Sequence, residues 1–110
     1  MPRHSDPNIL SEFIKSIRPP EDIRDKLDVG AIHDDDGIKI FERRPFVKDP
    51  EHVMYNAFAK LKYIKKSDTW RLYWMRGTLK WVLYEPFPES RDLGQLLKEV
   101  KRDAYGCFRG

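Results

Sequence analysis

Cys107 is the only cysteine in the chain, so no disulfide can form within it. No apolar run approaches the length of a membrane span, and the N-terminal MPRHSDPN lacks the apolar stretch of a secretory signal. These absences point to a reducing, cytoplasmic setting and to no membrane partner. Neither sign of charge dominates: 21 basic residues against 18 acidic ones leave a net charge of +3. That falls far short of a strongly basic nucleic-acid binder, yet gives a mild preference for anionic partners. No internal repeat, low-complexity segment or linker marks a boundary. The 110 residues suit one small domain, in which folding removes about two thirds of the chain's surface from water.

Motifs for metals and cofactors are equally scarce. His4, His33 and His52 lie far apart, none at the i, i+4 spacing of a helical metal pair, and no cysteine pair completes a zinc set. Asp34-Asp35-Asp36-Gly37 has too few ligands and the wrong spacing for a calcium loop, and reads as a solvated turn. Asp28 with Glu42 and Arg43-Arg44 has some of the acidic layout of a magnesium-dependent nuclease, although arginine is a poor replacement for the lysine of that pattern. Glu42 also has a structural reading, as partner to an arginine across the sheet or to Arg24. Cys107 beside Phe108 reads as a small packed residue rather than a nucleophile. No residue is assigned as catalytic, and no cofactor or metal is implied.

What is present is patterned apolar residues. Asp6-Pro7 reads as a helix cap with proline at the first helical position, followed by Ile9, Leu10, Phe13, Ile14 and Ile17 at helical spacing. Pro19-Pro20 interrupts that helix, and a short second one with Ile23 and Leu27 inward follows. Val29 to His33 and Gly37 to Arg44 read as a hairpin, closed by Pro45. Phe46 to Asn56 reads as a polar connection holding a turn of helix. Three strands then run over 58–66, 69–76 and 79–85, before Pro86 and Pro88 end the pattern. Ser90 can cap a last helix with Leu93, Leu96, Leu97 and Val100 in one stripe. The predicted class is α+β: a mainly antiparallel sheet of about five strands with N-terminal and C-terminal helices packed on one face.

The segment TWRLYWMRGTLKWVLYEPFP (69–88) holds all three tryptophans. Gly77-Thr78 suits a two-residue type II′ turn, which pairs Met75 with Lys80, Trp74 with Trp81, Tyr73 with Val82, Leu72 with Leu83 and Arg71 with Tyr84. A loop centred between Ser67 and Asp68 pairs Lys60 with Met75, Leu61 with Trp74, Lys62 with Tyr73, Tyr63 with Leu72 and Ile64 with Arg71. One face then carries Ala59, Leu61, Tyr63, Trp70, Leu72, Trp74, Leu79, Trp81 and Leu83, which is the core. The opposite face presents Lys60, Met75 and Lys80, then Lys62, Tyr73 and Val82, then Ile64, Arg71 and Tyr84.

Lysine and arginine track phosphates and aromatic rings stack on bases, so Lys60, Lys62, Arg71, Tyr73, Lys80 and Tyr84 form the candidate binding set for single-stranded nucleic acid or another anionic ligand. Such residues also populate any solvated sheet face. The same face, or a sheet edge, can instead serve a protein partner or a homodimer.

The segments RPPEDIRDKLDVG (18–30), FERRP (41–45), AKLKY (59–63), WRLYWMRGTLKW (70–81), YEPFPE (84–89) and YGCFRG (105–110) resemble a family of small bacterial proteins, the domain of unknown function DUF3024. The resemblance spans about residues 18–110 and implies no reaction or ligand. Family members typically have KWHxY where this chain has Lys80 to Tyr84, CFWG where it has Cys107 to Gly110, and a tyrosine at Ala31. In the register above the family histidine falls at Val82, beside Tyr73 and Lys62. Its absence favours binding over catalysis, with a metal-dependent nuclease as the remaining enzymatic reading.

Overall fold

The structure, a computed structural model, describes residues 7–35, 37–49 and 51–109. The predicted cap Asp6, and Asp36 and Pro50 in the predicted turn and connection, lie outside the described residues. Helix α1 (Pro7–Ile17) turns Phe13 into the core, with Ile9, Leu10, Ile14 and Ile17 packed beside it, as their spacing requires. Pro19-Pro20 stops it after Arg18 N donates to Ile14 O. The predicted second helix is only a 3-10 turn, Glu21–Ile23, and Ile23 stays 41% exposed instead of facing inward. A turn this short cannot bring two residues four apart onto one buried face.

Strands β1 (Asp28–Asp34) and β2 (Gly37–Pro45) form the predicted hairpin, with Asp34 opposite Gly37. Strand β3 (Val53–Ile64) starts well before the predicted position. Among the described residues of the polar connection there is no helix, and Phe46 N donates to His52 O. Val53–Ala57 therefore pair back along β2, and Phe58 is the extra residue of a bulge opposite Ile40/Phe41. Strands β4 (Thr69–Met75), β5 (Trp81–Leu83) and β6 (Glu89–Ser90) complete an antiparallel sheet in the order β1-β2-β3-β4-β5, with β6 also on β4.

Both predicted registers are displaced. In the β3–β4 pair Lys60 faces Tyr73 and Lys62 faces Arg71, two residues from the prediction, so every side chain keeps its face. In the β4–β5 pair the slip is one residue: Tyr73 faces Leu83, Trp74 faces Val82 and Met75 faces Trp81. That exchanges the faces. Val82 and Tyr84 turn to the helix side, while Trp81 and Leu83 turn outward, and Leu79 is 80% exposed in the loop. The loop has three residues rather than two: Arg76 N donates to Lys80 O, Leu79 N to Arg76 O, and Leu79 takes φ +64°. The ladder beyond β5 fixes this register, because the backbone of Leu72 accepts from Tyr84 N and donates to Pro88 O on the way into β6.

Helix α2 (Leu93–Arg102) buries the predicted stripe Leu93, Leu96, Leu97 and Val100. Its cap is Asp92, whose carboxylate accepts from Gly94 N, rather than Ser90, which accepts from Asp92 N and donates to Gln95. Both helices cover the same face of the sheet, over Val29, Ile38, Ile40, Ala59, Leu61, Trp70, Leu72 and Tyr84. Among the described residues, no helix is long and apolar enough to cross a membrane.

Candidate functional site

Among the described residues, strand alternation leaves the second face of the sheet without a helix over it. Reading across the strands, one row is Ile32, Lys39, Lys60, Tyr73 and Leu83. Towards the β1–β2 turn the next row is Gly37, Lys62, Arg71 and Glu89. In the other direction come Gly30, Phe41 and Ala57, with Met75 and Trp81 on the far strands, and then Asp28, Arg43 and Tyr55.

Two pairs on this face bring like charges directly opposite each other, Lys39 with Lys60 and Lys62 with Arg71. Such pairing is destabilising by up to about 1 kcal/mol each. Asp34 lies 3.7 Å from Lys39, and Glu89 stands in register beside Arg71. The Lys60 ammonium sits 5.9 Å from the centre of the Tyr73 ring, which ties the central cation to an aromatic surface.

Of the six residues singled out in the sequence, Lys60, Lys62, Arg71 and Tyr73 stand together on this face. Lys80 does not join them, since it lies in the Arg76–Lys80 turn with the parity of Val82. Tyr84 is in the core, 1% exposed, with its ring 4.9 Å from that of Phe108. Burial raises the pKa of its phenol, and its hydroxyl has no hydrogen-bond partner among the described residues. Val82 likewise faces the helices across from Trp74 rather than Tyr73 and Lys62. The slip brings Trp81 and Leu83 outward in their place. The β1–β2 half adds Lys39, Phe41, Arg43 and Tyr55, which the sequence could have supplied only with the meander order known.

The remaining chemistry-bearing groups are engaged elsewhere. Asp28 turns to the β1 edge, accepting from Arg18 Nε and Nη2 at 2.7 and 2.8 Å and from Val29 N at 2.8 Å. The arginine holds its pKa down to about 2. Glu42 points to the helix side, where it accepts from Arg44 and from Arg109, not from Arg24, which donates to Pro19 O. Asp28 and Glu42 therefore do not converge, and no group of three metal-ligating side chains exists among the described residues. Cys107 is half-buried, and burial, with Asp103 nearby, pushes its thiol above the usual range, which disfavours the thiolate. At the β1 edge, the bond from Val29 N to Asp28 occupies a donor that a second sheet would need.

The protein is thus an α+β fold with a meandering antiparallel sheet, helices on one face and a basic, aromatic surface on the other. Residues 1–110 match the family model of DUF3024, a domain of unknown function, and the chain belongs to that family. The match includes the N-terminal residues ahead of the segments that carry the resemblance. No curated protein and no solved structure matches the chain significantly.

Proposed function

We propose that this protein is a non-enzymatic cytosolic module that binds single-stranded nucleic acid across the outward sheet face. Lys39, Lys60, Lys62 and Arg71 supply the phosphate contacts, and Tyr73 and Trp81 the stacking surfaces. The observation that carries this reading is the pair of like-charge juxtapositions, Lys39–Lys60 and Lys62–Arg71, on a face that no described helix covers and that is set with aromatic rings. Charges placed at a cost to the sheet are stabilised when a polyanion lies across them, and each stacked base adds about 1 to 3 kcal/mol.

The test is fluorescence anisotropy of labelled single-stranded DNA and RNA at two salt concentrations, with a Lys62→Glu/Tyr73→Ala variant alongside. Contact with three or four phosphates gives a slope of about −2 to −3 in log affinity against log salt. The folded variant loses binding by at least about tenfold. No binding at low salt would overturn the proposal.

A second reading rests on Ile32, Met75, Trp81 and Leu83, apolar side chains interleaved with the cations on the same face. They could form the centre of a homodimer or other protein interface with the lysines as its rim. Sedimentation distinguishes it: a dimer insensitive to salt and lost on Trp81→Ala supports this reading, and a strict monomer at high concentration removes the homodimer.

A further inference from the structure

A groove of about 450 Å³ lies around the β1 edge at one end of the outward face, lined by Ile14, Arg18, Asp28 and Val29 and, on the outward face, by Gly30, Phe41, Arg43 and Tyr55. We infer that this groove is a subsite for one nucleotide of the bound strand, its base against Tyr55 and Phe41 and its phosphate on Arg43. The inference rests on the nucleic-acid reading of the face and gives that strand a defined end point.

The aromatic wall is held in place. A Cβ on Gly30 would come within 2.9 Å of Phe41 Cζ, so the ring lies directly against the β1 backbone. Tyr55 meets Phe41 edge-on, with centroids 5.4 Å apart and planes at 69°, and is itself 62% exposed. The wall therefore offers a fixed ring and an open one, an arrangement suited to a planar base.

Charge supplies the second requirement. Arg43 stands in register between Asp28 and Tyr55 and is half-buried. Asp28 is already held by both Arg18 nitrogens, and Arg43 has no ion pair among the described residues. Two guanidinium groups against one carboxylate leave the groove with one uncompensated positive charge beside its aromatic wall. An anionic group attached to a flat ring satisfies both features, and the volume falls within the ordinary range of small-ligand sites. From Arg43 to the level of Lys62 the face runs about 20 Å at the rise of a strand, room for a strand of a few nucleotides.

Three measurements on the full chain decide the matter: anisotropy with a labelled single-stranded oligonucleotide, the same titration with Arg43→Gln and Tyr55→Ala, and equilibrium dialysis with uridine 5′-monophosphate. Circular dichroism and thermal melting establish that the variants are folded. We expect at least about fivefold weaker oligonucleotide binding in each variant, and a salt slope shallower by about 0.7 in Arg43→Gln alone. Oligonucleotide binding by the native chain that both folded variants retain would overturn the subsite and leave the face reading standing. Mononucleotide binding that the variants lose, without oligonucleotide binding, would support the groove chemistry for a free nucleotide and overturn the strand. Binding of neither ligand would overturn both.

Discussion

Gly37 shows how a single methyl group can decide the sheet. It sits at φ +122° where β2 meets β3, and a Cβ there would run into the carbonyl oxygen of Leu61. Gly37→Ala should cost about 3 kcal/mol or more, read as a fall in the denaturant midpoint. Gly77 faces open space, so Gly77→Ala should stay within about 0.5 kcal/mol of the native protein. Leu79 holds a left-handed conformation at φ +64° with its side chain in water, and Leu79→Gly should stabilise the fold by up to about 1 kcal/mol. Tyr84 gives the most telling comparison, because the sequence pattern makes it a binding residue and the structure a core residue. Its buried hydroxyl has no partner among the described residues, so Tyr84→Phe should raise stability by about 1 kcal/mol and leave nucleic-acid binding unchanged.

Among the elements, the legible ones were those whose signal is local. Apolar spacing in α1 and α2 and the pairing of β1 with β2 as a hairpin each depend on residues close in sequence, and each held. The β4–β5 register did not, because Gly77 advertises a two-residue turn while the backbone bonds of Leu72 to Tyr84 and Pro88 are set by β6, a strand of two residues with no periodicity to read. The early start of β3 was hidden for a related reason: Val53–Ala57 are strand because β2 lies alongside, not because their own pattern is strong. Lys60, Lys62, Arg71 and Tyr73 survived as a group because a two-residue shift preserves parity, whereas Tyr84 was lost to a shift of one. The C-terminal segment depends on a contact invisible in the sequence. Asp103, left-handed at φ 46°, accepts from Phe108 N and Arg109 N and so seats Phe108 in the core. Asp103→Ala should cost about 1 to 2 kcal/mol and increase amide exchange at Phe108 and Arg109.

Over the whole molecule, the Arg18–Asp28 pair fastens the end of α1 to the first strand. Because the carboxyl pKa is lowered from 3.8 to about 2 in the fold, its contribution is fully present above about pH 4 and is lost as pH falls towards 2. Asp28→Asn should remove that part of the acid-induced loss of stability, seen as a flatter dependence of the urea midpoint on pH in this window. The twelve residues of β3 span about 40 Å at the rise of a strand, so the outward face is a long track rather than a pocket. The central claim is that this track, in the register that turns Trp81 outward, holds single-stranded nucleic acid. Tryptophan fluorescence during titration with a single-stranded oligonucleotide at low salt tests it most directly, comparing the native chain with Trp81→Phe. Trp70 is 1% exposed and Trp74 packs towards the helices, so quenching should occur in the native chain and largely disappear in the variant. No quenching, or quenching of equal depth in Trp81→Phe, would contradict the account.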